Sequence, residues 1–253
     1  MINTARLIFY LILIFILVAC GKKGPVRPLD VNLPGPVQNA ELRQRGNELL
    51  LSWQLPASNQ DNTPLKTAPD IDIYRMLFDP NDDCPECNDH SLPRFTINPE
   101  LPIPAQRLGD HYLLGDKQVA AGQGYRYRLV PRTLDGQNGQ PLTVQAVFIE
   151  PPAGPNGFAA EPHDRSATLS WLAVEPEAGQ ELSGYQIYRR ESDGIQPAQR
   201  LVQLPPSELK YEDLTLENGK QYIYLVRALL KQKDQLLESL PSAAITVIPR
   251  SGT

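Results

Sequence analysis

Leu49-Leu50-Leu51-Ser52-Trp53 and, 118 positions later, Ala167-Thr168-Leu169-Ser170-Trp171 are the stretches that decide the fold of this 253-residue chain. Each places apolar side chains ahead of a Ser-Trp pair, and each is followed by the same two blocks in the same order. Ile71-Asp72-Ile73-Tyr74-Arg75 is answered by Tyr185-Gln186-Ile187-Tyr188-Arg189. Gly122-Gln123-Gly124-Tyr125-Arg126-Tyr127-Arg128-Leu129 is answered by Gly219-Lys220-Gln221-Tyr222-Ile223-Tyr224-Leu225-Val226. The blocks alternate apolar and polar residues or are rich in aromatic and β-branched types, the pattern of a strand with one buried face. The duplication predicts two similar β domains in tandem, joined by Pro151-Pro152-Ala153-Gly154-Pro155-Asn156-Gly157. Proline supports an all-β reading: it occurs 25 times, about twice ordinary usage, and lacks the N–H that a helix interior requires.

With these blocks in place, both copies resemble fibronectin type III domains, over residues 34–249. In that family a Trp on the second strand fills the centre of a sandwich of two antiparallel sheets, and a corner Tyr ties a later strand to its neighbouring turn. Trp53 and Trp171 match the Trp position, and Tyr125 and Tyr222 match the corner Tyr. Each corner Tyr follows a Gly by three residues (Gly122, Gly219) and an apolar residue by six (Val119, Leu216). The resemblance implies an all-β chain of two tandem immunoglobulin-like (fibronectin type III) β-sandwiches, with domain 1 at 37–150 and domain 2 at 151–253. Tyr74, Tyr127, Tyr188 and Tyr224 are expected in the core or on a sheet face rather than in a carbohydrate-stacking stripe. The hairpin at 228–240, where Leu229, Leu230, Leu236 and Leu237 flank a polar turn, fits two roles equally: receiving a partner or packing on the neighbouring domain.

The copies differ in one place. Tyr74 and Tyr125 are 51 positions apart, whereas Tyr188 and Tyr222 are 34 apart, so the first copy carries an insertion near 79–105. That insertion holds Cys84, Cys87 and His90, with Asp82, Asp83 and Asp89 beside them. Three chemistries use such a cluster: a Cys84–Cys87 disulfide in an oxidising compartment, a metal half-site completed by His90, and redox catalysis by a thiol at a helix N-terminus. No second ligand pair and no βαβ pattern accompanies it. His90, His111 and His163 do not converge on a nucleophile, and the paired acids Asp82-Asp83 and Glu212-Asp213 read as solvated turns. The expectation is a chain that is not an enzyme and has no cofactor beyond covalent lipid.

That lipid is predicted at the other end of the chain. Arg6 is the only charged residue before thirteen uncharged ones, and Leu17-Val18-Ala19-Cys20-Gly21 matches the lipobox of bacterial lipoprotein signal peptides. The apolar run is too short to span a bilayer, which takes about 20 residues. The resemblance implies removal of residues 1–19, acylation (palmitate included) of Cys20, and anchoring to a membrane in the cell envelope. Two or three acyl chains hold essentially for good. Gly21, standing where an Asp would retain the protein at the inner membrane, implies the outer membrane.

Residues 20–36, with Pro25, Pro28, Pro34 and Pro36, read as an extended tether. Of the 24 basic and 29 acidic residues, Arg6, Lys22, Lys23, Arg27 and Asp30 precede Val37, so the remainder carries a net −8. An acidic body excludes nucleic acid as the expected partner, because phosphate contacts need Lys and Arg. Cys20-Gly21-Lys22-Lys23-Gly24-Pro25 is also similar to the start of small lipoproteins that assist assembly of the lipopolysaccharide translocon. Together these features predict a membrane-anchored envelope lipoprotein acting as a non-enzymatic protein-binding or spacing module toward an unidentified envelope protein. The alternatives are an outer-membrane assembly factor working through its acylated segment, and a thiol or metal protein using Cys84 and Cys87.

Overall fold

A computed structural model describes residues 32–81, 92–192, 198–233 and 235–252. Among the described residues every regular element is a strand, and no helix is long and apolar enough to cross a membrane. The first half contributes β1 (Gln38–Arg45), β2 (Glu48–Gln54), β3 (Asp70–Phe78), β4 (Phe95–Ile97), β5 (Gln106–Leu108), β6 (His111–Asp116), β7 (Gly124–Arg132) and β8 (Leu142–Val147). The second contributes β9 (Ala159–His163), β10 (Ser166–Ser170), β11 (Gln180–Glu191), β12 (Gln199–Leu204), β13 (Lys210–Asp213), β14 (Tyr222–Gln232), β15 (Gln235–Glu238) and β16 (Ile245–Val247).

Each half is a sandwich because its strands have one apolar face and must bury it against a second sheet. In the first, the strands β1, β2, β6 and β5 pack Leu49, Leu51, Trp53, Tyr112 and Leu114 against Ile71, Ile73, Tyr127 and Leu129 of the sheet β4-β3-β7-β8. In the second, the sheet β13-β10-β9 packs Ala167 and Leu169 against Tyr185, Ile187, Tyr224 and Val226 of β11 and β14, with β12, β15 and β16 alongside. Residues 33–36, placed with the tether by sequence, are hydrogen-bonded into the first sandwich. Gly35 N–H donates to Ser58 O at 2.9 Å, and Pro34 O accepts from Gln140 N–H at 2.9 Å.

The two cores are separate, but the sheets are not. β1 is an edge strand of the first sandwich and β15 of the second, and they pair with each other in parallel, Gln44 opposite Leu237 and Arg45 opposite Glu238. Exposed edges invite pairing, and here two of them satisfy each other. The result is one sheet running β12-β11-β14-β15-β1-β2-β6-β5 through both sandwiches, within a compact unit Leu33–Thr253.

The joint between the sandwiches is tied down on both sides. The Gln44 side chain, 2% exposed, imitates a strand neighbour: its amide donates to Ile149 O at 2.9 Å and accepts from Ile149 N–H at 3.0 Å. Leu240 N–H donates to Pro152 O at 2.8 Å and Gly46 N–H to Glu238 O at 2.8 Å. Two glycines permit this approach. Gly46 has φ +54° and a Cβ there would lie 2.8 Å from an Arg227 guanidinium nitrogen, while a Cβ on Gly154 would lie 2.5 Å from Leu240 O. The 228–240 hairpin therefore meets the neighbouring domain through the β15 backbone, while Leu230 and Leu237, at 0% and 1% exposure, are buried in the core of their own sandwich.

Candidate functional site

The residues that carry the family resemblance meet at the sandwich centres. Trp53 is fully buried and stacks on Tyr112 with ring centres 5.7 Å apart, and Trp171 meets Tyr185 edge-on at 5.4 Å. Tyr125 Oη accepts from Ala120 N–H at 2.8 Å, and Tyr222 Oη accepts from Glu217 N–H at 3.1 Å, closing the same corner in both copies.

The duplication extends to a buried ionic triad that sequence reading missed. In the first copy Asp116 Oδ2 accepts from Tyr127 Oη–H and from the Arg75 guanidinium, both at 2.8 Å. In the second, Asp213 Oδ2 accepts from Tyr224 Oη–H at 2.8 Å and from Arg189 at 2.6 Å. The reading of Glu212-Asp213 as a solvated turn is corrected here: Glu212 is exposed, but Asp213 is fully buried. Alternation along β13 sends the two neighbours to opposite faces. Burial pushes the tyrosine hydroxyls Tyr127 and Tyr224 well above their ordinary value, and the facing carboxylates push them further. The available signal was the Tyr-Arg pair and the Tyr-x-Tyr pair repeated in each copy. These triads lock sheet to sheet within each sandwich.

The shared sheet forms a different kind of place. Its face away from the cores is a groove of about 770 Å³ that crosses the junction between the sandwiches. Side chains two apart on one strand share a face, so β1 directs Glu41, Arg43 and Arg45 into it, while β14 supplies Leu225 and Arg227 and β12 supplies Arg200. Glu238, 1% exposed, sits at the centre: it accepts from Tyr188 Oη–H at 2.5 Å and from Arg200 at 2.7 Å, with Arg43 at 3.9 Å. Arg45 pairs with Glu48 at 2.6 Å, and Arg227 donates to Ser239 O at 2.6 Å. Burial and then the Glu238 carboxylate raise the Tyr188 hydroxyl pKa. This groove is built from both domains and is invisible in either alone.

The remaining sequence candidates are dispersed. Cys20, Cys84, Cys87 and His90 lie outside the described residues. His111 opens β6 on the groove rim and His163 ends β9 in the other sandwich. Among the described residues no three His, Cys, Asp or Glu side chains come together as a metal site.

Each half sets the strands β9, β10 and β13, or their counterparts β1, β2 and β6, against a sheet with β11 and β14, or β3 and β7, at its centre. The chain is a tandem of two fibronectin type III-like β-sandwiches. No family model matches it. Among solved structures it is similar to the FN1–FN3 domains of chicken CNTN1, with 17% identity over 86% of this chain and 68% of that one and a TM-score of 0.35. It is also similar to a two fibronectin type-III domain segment from chicken tenascin, with 15% identity over 84% and 98% of the two chains and a TM-score of 0.32. A third likeness is to the kinase region of twitchin from C. elegans, with 20% identity over 40% and 17% and a TM-score of 0.34.

Proposed function

We propose that this tandem is an envelope lipoprotein, held at a membrane by acyl chains on Cys20, that presents two sandwiches as a non-enzymatic protein-binding or spacing module. The observation that carries this reading is the β1–β15 pairing with its hydrogen-bonded joint. A spacer must resist bending, and a binding face shared by two domains must keep its halves in register. Backbone hydrogen bonds across the joint serve both needs. The lipobox ending at Cys20 supports the anchor, and the basic Lys22 and Lys23 beside it suit an anionic surface.

Acylation requires the cysteine sulfur. Cys20→Ser should leave the precursor unacylated and uncleaved and change its membrane fractionation, read by mass spectrometry of the N-terminus. Recovery of processed, acylated protein from Cys20→Ser cells would defeat the lipoprotein reading.

The run Cys20-Gly21-Lys22-Lys23-Gly24-Pro25 favours one second reading, an assembly factor whose working part is the acylated segment. Exchanging residues 21–31 for another lipoprotein's tether separates the two. Loss of envelope integrity after the exchange, but not after deletion of both sandwiches, selects the second.

A further inference from the structure

Two arginines in the junction groove keep guanidinium donors without hydrogen-bond acceptors among the described residues, although Glu238 and Glu41 near Arg43, and Glu238 and Glu48 near Arg227, partly balance their charge. Glu48 is taken up by Arg45, and Glu238 by Tyr188 and Arg200. Arg43 is left with its 3.9 Å contact to Glu238 and makes no hydrogen bond among the described residues, although its side chain is only 14% exposed. Arg227 spends one nitrogen on Ser239 O. Burial lowers the pKa of both guanidinium groups, and at Arg43 the Arg200 charge lowers it further; Glu238 and Glu41 at Arg43, and Glu238 and Tyr188 ahead of the opposing Arg45 at Arg227, offset this only in part. A guanidinium has five donors and recognises carboxylates in pairs of hydrogen bonds. These donors face a groove on a body whose net charge from Val37 onward is −8.

The groove is long and mixed in character. Its floor runs across eight paired strands from β12 to β5, and at about 4.8 Å per strand that path is roughly 34 Å. The arginines occupy the junction and the second sandwich, on β1, β14 and β12. Leu50, Leu108 and Leu113 line the end in the first sandwich, with Leu108 42% exposed. The point where Arg43 and Arg200 converge is already filled by the Glu238 carboxylate, so among the described residues no vacant cluster of donors is left for a compact anion. An extended chain of about ten residues at roughly 3.3 Å each matches the path.

We propose that this groove receives an extended segment of a partner protein that presents carboxylates to Arg43 and Arg227 and apolar side chains to Leu108 and Leu113. The proposal rests on reading the tandem as a binding module and gives that module its ligand chemistry. The charged pairs set register and speed of encounter, and the leucines supply burial.

The test uses the full chain in neutral detergent, whatever its state at Cys20, and a fluorescein-labelled Glu-Leu decamer, Glu-Ser-Glu-Ser-Glu-Ser-Leu-Ser-Leu-Ser, whose alternate positions set Glu and Leu on one face of an extended chain, followed by anisotropy. Saturable binding is expected that weakens at least tenfold in Arg43→Gln and in Leu108→Glu and is unchanged in Lys66→Gln. Leu108 is an exposed edge position, so its variant reports on binding without disturbing a core. The same decamer with Lys in place of each Glu, the Lys-Leu decamer, should not compete. Absent binding of the Glu-Leu decamer, binding indifferent to both groove variants, or equal binding of the Lys-Leu decamer overturns the proposal. Displacement by millimolar inorganic phosphate or by dihexanoyl phosphatidylglycerol, but not by unlabelled Glu-Leu decamer, overturns it in favour of a headgroup site. None of these outcomes depends on Cys20, so the anchor and the groove can fail separately.

Discussion

Asp213 is a carboxylate with no access to water, and its environment decides its charge. Burial alone would raise its pKa, but hydrogen bonds from the Thr215 hydroxyl and N–H, the Tyr224 hydroxyl and Arg189 outweigh this and hold it below the usual carboxylate value. A carboxyl whose folded pKa lies below its unfolded value of about 3.9 stabilises the fold above that pH. The contribution is lost as pH falls from about 4 through the lowered folded value. Asp213→Asn should cost about 1 to 3 kcal/mol at pH 7 and flatten the acid limb of unfolding. Urea midpoints for the two proteins between pH 7 and pH 2 check this: the gap between them should narrow below pH 4. Parallel midpoints down to pH 2 would show that Asp213 does not carry that limb.

At the scale of elements, β1 does two jobs, pairing with β2 inside its own sandwich and with β15 of the next. Gln44 extends that second ladder by a side chain, since Ile149 is held by its amide group rather than by a strand. Removing the amide strands a half-buried N–H and C=O. In Gln44→Ala, hydrogen exchange at the Ile149 amide should rise about tenfold, the equivalent of one net hydrogen bond. The amides of Gly46 and Leu240, which close the same joint, should follow to a lesser degree, and those of β10 should stay protected. Uniform acceleration in β10 as well would mean that the joint and the second core open together.

For the whole molecule, the shared sheet makes the placement of the two sandwiches a structural constant. Domains joined by a free linker sample many placements by default, but here β1 pairs with β15 and Gly46 N–H bonds Glu238 O across the joint, while Gln44 holds Ile149 and Leu240 holds Pro152 on the two sides of it. Spin labels at Leu134 and Leu214, 76% and 69% exposed and in different sandwiches, provide a direct reading. With Cys84 and Cys87 replaced by Ser, the label-to-label distance should form one narrow peak by pulsed electron resonance, broadening when Gln44→Ala and Arg227→Ala are combined. A broad multi-peak distribution in the parent protein would refute the fixed joint and weaken the spacer reading with it.

What the sequence determined by itself is the local part of this protein. The period-two run before Trp171 and the Gly-anchored Tyr125 and Tyr222 specify which face of their strands is buried, because side-chain alternation is written directly in residue order, whereas Leu49-Leu50-Leu51 before Trp53 marks a strand buried on both sides. The all-β class, the tandem repeat and the corner hydrogen bonds follow from that. The triads were only half legible, since Asp213 draws its partners Tyr224 and Arg189 from 11 and 24 positions away. The position of the joint was legible in its Pro- and Gly-rich run, but the pairing that fixes it was not. Edge pairing between β1 and β15 is made by backbone N–H and C=O groups, which every non-proline residue carries alike, so no side-chain pattern announces it. Residues 228–240 read equally as a docking patch or as an internal contact until β1 was found beside them. The groove, with Arg43 and Arg227 brought together from different domains, exists only because that tertiary pairing sets two sheets edge to edge.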